Sequence, residues 1–281
     1  MGMISKFVSA ESSSFWGKAS LIGLFAVLAA SFVLPFFLPY DYKHFSDLEH
    51  LFLKPFSQGH ILGTNEFGRD MFSGLLYGLQ TSFIIAGIST FLAFAFGTFL
   101  GVYAAYKGGM VEKILGRVTE LQLSIPSFLI ALLLIAFLGH GFLPLIAALV
   151  LGQWAYFAQT ARSIAKAEIR QEYVLSARLL GLSSFYIVCK HLLPNALPPQ
   201  IVVFSYQLAR AIALESALSF LGVGVPLTEP SLGLFIAQGY AYFLNKAYWV
   251  SLFPGIMLIL LVMMVTKIGD YLNTIYDRRD S

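Results

Sequence analysis

The amino-acid sequence predicts an all-α, polytopic membrane protein with six transmembrane helices. Two features of the 281 residues support this class: 58% are hydrophobic and only 12% are charged. Soluble domains carry about a quarter charged residues, so the deficit is too large for a surface that faces water. The third observation is that the apolar residues fall into six long runs, and about 20 such residues cross a bilayer as a helix.

Each run is assigned to one predicted span. The runs are residues 19–38, 71–106, 121–139, 141–160, 192–227 and 247–266. The second run has 36 residues, which is more than one crossing needs, so its crossing is predicted at 81–106. Residues 71–80 are then expected to form a re-entrant or interfacial approach.

Glycines indicate two local features of the spans. His140 and Gly141 alone separate the third run from the fourth, so these two spans are predicted to form a tight helical hairpin. Gly97 and Gly101 have the GxxxG spacing that permits close contact between membrane helices.

Lys and Arg predict the orientation, because cytoplasmic loops carry more of them. With the amino terminus inside, thirteen of the eighteen lie in inner segments and four in outer ones. Both termini are therefore expected in the cytoplasm. The chain divides into a cytoplasmic segment 1–18, the first span 19–38, an extracytoplasmic loop and approach 39–80, and a core 81–280 that contains the cytoplasmic loop 161–191.

The sequence lacks the common catalytic motifs. It has no GxxxxGK[ST] phosphate loop, no HExxH zinc site and no GxSxG nucleophile elbow. No catalytic residue, cofactor or metal site is therefore predicted on this chain. Three of its five histidines, His44, His50 and His60, lie in the extracytoplasmic segment 39–80, so a metal contact there stays open. The basic residues follow membrane topology, so no nucleic-acid partner is predicted.

The loop 161–191 is predicted to contain a short amphipathic helix. Tyr173, Ala177 and Leu180 have helical spacing, and Gly181 stands where a left-handed cap is wanted. Ser184 can cap the following helix, and Pro194 suits the first turn of the next span. The apolar stripe could pack on the chain's own loops, lie on lipid headgroups or dock into a groove of another protein.

Two ionisable residues fall inside the fifth run. Arg210 and Glu215 are functional candidates because charges within a membrane are costly. Their five-residue separation points them about 140° apart on a helix, so they are not expected to pair. Two interpretations stay open: a structural hydrogen bond between helices, or a polar lining of a translocation path.

The loop resembles the "EAA" loop of ABC-importer permeases, whose pattern is E-A-A, three residues, G, nine residues, I, one residue, L-P. Aligned on Gly181, the segment Leu175-Ser176-Ala177 stands at the E-A-A positions, and His191 replaces the Ile before Leu193-Pro194. The generic Glu, first Ala and Ile are thus absent. Glu172-Tyr173-Val174 upstream is similar to the variant found in the dipeptide, oligopeptide and nickel branch.

Two further segments are similar to the same branch. Residues 62–70, LGTNEFGRD, resemble the LGTDxxGRD segment that precedes the second span of C-type permeases. The alternative interpretation is a turn rich in Gly and capping residues. Residues 215–224, ESALSFLGVG, are similar to the branch's E-x-x-LSFLGLG. The three matches occur in order and cover residues 62–224.

The resemblance implies a type I ABC-importer permease fold in a bacterial inner membrane. It implies a second permease subunit, two P-loop ATPase subunits that bind ATP and Mg, and an extracytoplasmic solute-binding protein. The solute would be a dipeptide, an oligopeptide, nickel or a metallophore complex. The residues implied at the ATPase contact are Glu172, Tyr173, Ser176, Ala177, Arg178, Gly181, His191, Leu193 and Pro194. Those of the extracytoplasmic motif are Gly63, Thr64, Gly68, Arg69 and Asp70.

A self-sufficient secondary transporter or channel is the alternative. Such proteins usually have inverted halves with broken helices, and no repeat of that kind is evident in this sequence. A membrane-embedded enzyme is disfavoured by the missing catalytic motifs.

Overall fold

The computed structural model describes residues 2–38, 42, 47, 49–242 and 247–280. Within these ranges the chain is helical, and its β-structure is limited to two isolated bridges, Ser57–His60 and Thr64–Asp70. The helices are α1 (Gly2–Val33), α2 (Met71–Lys107), α3 (Gly109–Leu123), α4 (Ser127–Leu138), α5 (Phe142–Glu168), α6 (Glu172–Leu179), α7 (Ser184–Ile187), α8 (Leu193–Phe220), α9 (Leu232–Ala241) and α10 (Trp249–Asp280). A 3₁₀ turn, Leu34–Phe36, extends α1, and a π-helical turn, Val188–Leu192, joins α7 to α8.

The predicted number of spans agrees with the structure when one bent pair of helices is taken as a single span. In the described part of the chain, five helical segments are long and apolar enough to cross a membrane, and the pair α3–α4 supplies a sixth. The all-α, six-span prediction is therefore confirmed. Three of the predicted segments differ from the structure, two in their course and one in its bounds.

The first difference concerns the approach to the second span. Helix α2 runs without a break from Met71 to Lys107, so residues 71–80 are not a re-entrant segment. The Asp70 side chain caps this helix by accepting a hydrogen bond of 2.7 Å from the Ser73 amide. At 1.5 Å per residue, the 37-residue helix is about 55 Å long and exceeds the ~30 Å hydrocarbon core.

The second difference concerns the third span. The predicted single helix over 121–139 is wrong, because α3 and α4 meet at 90°. Pro126 precedes the first residue of α4. Proline has no amide hydrogen and disfavours helical geometry in the residue before it. The predicted hairpin after α4 is confirmed: Gly139 and Gly141 turn the chain with φ of 85° and 140°.

The fifth span is shifted toward the amino terminus. Helical structure begins at Ser184, passes through the π turn and ends at Phe220, where 192–227 was predicted. Gly222, at φ 75°, ends the helix in a Schellman motif, with the Val223 amide bonded to the Leu218 carbonyl at 3.1 Å. The chain after this turn forms the short apolar helix α9.

The GxxxG contact is confirmed between α2 and α5. A Cβ atom at Gly97 would collide with the Trp154 carbonyl, and one at Gly101 would collide with the Ala158 carbonyl. Both glycines thus let the two backbones touch. Helix α1 packs against α10 at the side of this bundle.

Replacing Gly101 with Val is expected to destabilise the fold by about 1–3 kcal/mol or more, because the new side chain must push two packed backbones apart. Thermal unfolding of the detergent-solubilised protein measures this loss. Gly87→Val is the matched control on the same helix, since a Cβ there meets nothing within 4 Å. Equal melting temperatures for the two variants would contradict the contact.

Candidate functional site

Helix α6, within the loop 161–191, ends in a fully formed glycine cap. Gly181 has φ 72°, its amide donates to the Arg178 carbonyl at 3.0 Å, and the Leu182 amide donates to the Ala177 carbonyl at 3.2 Å. This pair of bonds defines a Schellman motif and confirms the predicted left-handed cap. The following helix is capped by Ser183, one residue before the predicted Ser184.

The buried face of α6 differs from the predicted stripe. Val174 and Ala177 are buried against α2, α5 and the start of α8. Tyr173 is partly exposed, and Leu180 is 78% exposed. The predicted grouping of Tyr173, Ala177 and Leu180 is therefore wrong. The face of α6 that packs against the chain's own spans is narrower than predicted. It consists of Val174 and Ala177, which lie three residues apart and therefore on the same side of the helix.

A second apolar face of the same loop points away from the protein. Leu179 is 89% exposed and Phe185 66% exposed. We name this surface the outer loop face. Its members are Leu175, Leu179, Leu180, Leu182 and Phe185. A soluble surface seldom leaves so many large apolar side chains together in water, so a partner or a lipid surface is required to cover them.

Tyr173 joins the loop helix to two spans. Its hydroxyl donates to Glu168 Oε2 at 2.5 Å, at the end of α5, and accepts from Asn195 Nδ2 at 2.7 Å, at the start of α8. Partial burial, followed by the hydrogen bond to Glu168, raises the pKa of the Tyr173 phenol. The phenol thus keeps its proton at neutral pH and remains the donor to Glu168.

Other residues implied at this site surround Tyr173. His191 lies between two tyrosines, with ring centroids 5.9 Å from Tyr173 and 5.8 Å from Tyr186. Arg178 lies over the ring of Tyr106 of α2, 4.5 Å from its centroid. Four further residues of the implied set are placed as follows: Glu172 and Ser176 are exposed on α6, Pro194 is exposed on α8, and Leu193 packs partly against the buried face.

The segment 62–70, which the sequence predicts to be extracytoplasmic, folds as a compact turn at the start of α2. Gly63 and Gly68 both have positive φ. Thr64 donates to the His50 carbonyl at 2.7 Å and accepts from the Leu53 amide at 2.8 Å. The Arg69 guanidinium lies 5.2 Å from the centroid of the Tyr42 ring.

His60 and Asp70 form a buried pair in this turn, with 2.8 Å between Nδ1 and Oδ1. Among the residues that the structure describes, no group of three or more His, Cys, Asp or Glu side chains could hold a metal ion. His44 lies outside the described residues. The motif's packing agrees with the interpretation as a capped turn.

Glu215 lies inside the chain's own helix bundle. Its side chain is buried and accepts hydrogen bonds from Ser219 at 2.8 Å and from Ser216 at 3.3 Å. The Ser82 hydroxyl of α2 lies beside the same carboxyl group. These contacts fit the structural interhelical bond that the sequence left open.

The hydroxyls around Glu215 also hold the segment that follows α8. Ser219 Oγ accepts from the Val225 amide and Ser82 Oγ accepts from the Leu232 amide, each at 3.3 Å. Since each hydroxyl can then donate to the carboxyl group, Glu215 indirectly anchors the segment after α8 at Val225 and at Leu232.

Replacing Glu215 with Leu is expected to lower stability by about 3 kcal/mol or more, because a buried hydroxyl that loses its partner costs about 1–3 kcal/mol. Glu215→Gln keeps one acceptor oxygen and should lose less. Melting temperature and protease cleavage within 221–231 measure both variants. Equal stability of Glu215→Leu and the wild type would contradict the anchoring role.

Arg210 lies on the opposite, exposed side of α8. Its Nη2 atom donates to Ser127 Oγ at 3.0 Å, at the start of α4. The prediction that Arg210 and Glu215 do not pair agrees with this placement. Of the two, only Arg210 is positioned to face a path outside the chain's own bundle.

Six apolar spans and a helical loop with an uncovered apolar face are the features of a multi-pass membrane protein. Residues 97–280 match the family described as binding-protein-dependent transport system inner membrane component, and the chain belongs to that family. It is thus a permease subunit of an ABC importer and a multi-pass protein of the inner membrane, as the sequence predicted.

Relatives and a solved structure agree with this assignment. The chain is 36% identical over 220 residues to a putative peptide transport system permease protein of Brucella suis, covering 78% of this chain and 74% of the relative. It is 31% identical over 263 residues to the dipeptide transport system permease protein DppC of Bacillus subtilis, covering 92% and 82%. A chain of the inward-facing MetNI methionine ABC transporter shares the fold, with a TM-score of 0.58 at 22% identity, covering 71% of this chain and 94% of the other.

Proposed function

We propose that this permease forms half of the translocation pore of an importer for dipeptides or oligopeptides. The observation that carries the coupling part of this proposal is the outer loop face, which is apolar, exposed and built on a helix that is bonded to two spans. The peptide solute is supported by the names of the relatives in Brucella suis and Bacillus subtilis. Nickel and metallophore complexes remain the competing solutes.

The coupling mechanism rests on rigid contacts between the loop and the spans. Two P-loop ATPase subunits bind ATP and Mg, while this chain binds no cofactor. The outer loop face and the implied residues Glu172 and Arg178 contact one ATPase. Closure of the ATPases moves α6, and Tyr173 passes that movement to α5 and α8 as a rigid body.

The rest of the assembly follows from the predicted orientation. Both termini and the loop 161–191 lie in the cytoplasm, and a solute-binding protein delivers peptide from the other side. A second permease supplies the other half of the pore. The turn of Gly63, Thr64, Gly68, Arg69 and Asp70 fixes the outer end of α2, and Arg210 lines the path.

Co-purification followed by uptake tests the proposal. The tagged chain, extracted from its native membranes in mild detergent, is expected to carry a second permease and ATPase subunits. After reconstitution with the binding protein, ATP should drive uptake of a labelled dipeptide. A homo-oligomer that moves solute without ATP would overturn the proposal in favour of an autonomous transporter, and uptake of nickel alone would overturn the peptide assignment.

A further inference from the structure

The exposed side of α8 differs in polarity from the other exposed surfaces of the spans. Tyr206 and Arg210 are exposed on it, one helical turn apart. Tyr156 of α5 and Ser127 of α4 are also at least partly accessible. By contrast, the residues exposed along the middle of α1 and α10 are mostly large and apolar, as lipid requires. They include Ile22, Phe25, Ile256, Ile259 and Met263.

Arg210 lies deep within its span. It is ten residues from the end of α8 at Phe220 and seventeen from the start at Leu193, which correspond to about 15 Å and 25 Å along the helix. An arginine facing lipid at this depth is strongly unfavourable. Its side of α8 therefore faces either the water-filled path or the partner permease.

The positive charge of the Arg210 guanidinium group is not balanced by a carboxylate of the described residues. In the described part of the chain, no carboxylate forms an ion pair with Arg210, and the neutral Ser127 hydroxyl accepts a hydrogen bond from it. Asp270, which bonds to the neighbouring Tyr206 at 2.9 Å, is paired with Lys267 at 3.1 Å. A guanidinium has five N–H donors, so most of them remain available.

We propose that Arg210, with Ser127, is a binding point for the carboxylate of the passing solute. This inference rests on the proposed function and adds the chemical group that is recognised. A guanidinium binds a carboxylate through two parallel hydrogen bonds. The hydrogen bond from Nη2 to Ser127 holds the arginine side chain toward the start of α4. It thereby fixes the direction of the N–H groups that stay available for a carboxylate. An acidic residue of the second permease is the competing partner for the same charge.

The test replaces Arg210 with a cysteine, to which a positive or a negative charge is then attached chemically. The Arg210→Cys substitution is made in a Cys189→Ser parent, because Cys189 is the only cysteine of the chain. The assembled complex is reconstituted and treated with a cationic (trimethylammonium) or an anionic (sulfonate) methanethiosulfonate. Uptake of the dipeptide Ala-Ala and the rate of labelling by each reagent are measured, with Arg210→Lys as a second variant.

The expected result is that uptake falls about tenfold or more in Arg210→Cys, the least that loss of a hydrogen bond to a charged group should cause. The cationic reagent should restore most of it and the anionic reagent none. Arg210→Lys should keep intermediate uptake. Ala-Ala should slow the labelling reaction, whereas its C-terminal amide should not.

Four results would overturn the carboxylate site. Two of them are equal restoration by both reagents and equal protection by acid and amide. The other two are an unlabelled thiol and loss of the second permease from the Arg210→Cys complex, and either would assign Arg210 to the contact between the permeases. Failure of the wild-type complex to take up any peptide would instead overturn the proposed function and, with it, the peptide carboxylate.

Discussion

Replacing Leu179 with Glu is expected to release the ATPase subunits from this permease without unfolding the membrane domain. Leu179 is the most exposed large apolar side chain of the outer loop face, at 89%. Burying a leucine at an interface contributes about 1.5–3 kcal/mol, and a charge forced into a desolvated contact adds a further penalty. The two effects together should weaken the ATPase association by about 100-fold or more.

The measurement is the amount of ATPase that co-purifies with the tagged permease at a fixed detergent and salt concentration. Leu179→Ala should weaken the association less than Leu179→Glu, because it removes contact area without adding charge. Gln171→Glu is the matched control. It introduces the same charge at an exposed position at the other end of α6.

Three outcomes are informative. Loss of ATPase from the Leu179 variants but not from Gln171→Glu supports docking on the outer loop face. Equal loss from all three variants would indicate a general effect of loop stability. Full retention in Leu179→Glu, with unchanged ATP-driven uptake, would contradict the proposal that this face contacts the ATPase and would assign it to lipid headgroups.

The sequence predicted the spans because their number depends mainly on apolar length. The courses of two spans could not be read in the same way, since hydropathy does not record where the backbone bends. Pro126 was visible, but a proline inside an apolar run is compatible with a straight span when neighbouring helices satisfy its carbonyls. The 90° bend between α3 and α4 depends on packing that is absent from the linear pattern.

The loop that carries the candidate site was predictable from the sequence, but its contacts within the fold were not. The loop 161–191, its glycine cap and the residues around Tyr173 were found from spacing and resemblance. The buried face was misassigned because Leu180 and Ala177 are both apolar, and only the tertiary fold decides that one is covered and the other exposed. Ser127 was missed as a partner of Arg210, because 83 residues separate them and no local pattern connects them.

The two ionisable residues of the fifth span also show that the sequence gives helical spacing but not tertiary contacts. The helical angle predicted that Arg210 and Glu215 point apart, and this much follows from periodicity alone. Which of them faces inward depends on the serines that surround Glu215, two from α8 and one from α2. Serines are common in membrane helices, so their convergence on one carboxyl group is visible only in three dimensions.

The second large effect is expected for Tyr173→Phe, which should uncouple ATP hydrolysis from transport while leaving the complex assembled. The substitution keeps the ring beside His191 but removes the hydroxyl that bonds to Glu168 and Asn195. Helix α6 then loses its polar link to the ends of α5 and α8. Hydrogen bonds to charged groups contribute about 1.5–3 kcal/mol in favourable settings, so we expect peptide uptake per ATP to fall about tenfold.

Tyr186→Phe is the control, because Tyr186 contacts the same histidine ring at 5.8 Å. Among the described residues, no hydrogen bond is found for its hydroxyl. It should therefore keep normal coupling. Asn195→Leu should reproduce much of the defect, and the double variant with Tyr173→Phe should add little, since both changes remove the same bond.

The pH dependence provides an independent check on Tyr173. Burial and the bond to Glu168 raise its pKa above the ordinary value of 10, so the neutral phenol is favoured in the folded protein. Its contribution is fully present below pH 10 and is lost only as the pH rises through the raised pKa. The ratio of wild-type to Tyr173→Phe coupling should thus stay constant between pH 6 and 9, a range that lies wholly below the ordinary phenol pKa of about 10. A ratio that collapses within this range, or a Tyr173→Phe complex that couples as well as Tyr186→Phe, would remove Tyr173 from the path between the ATPase and the spans.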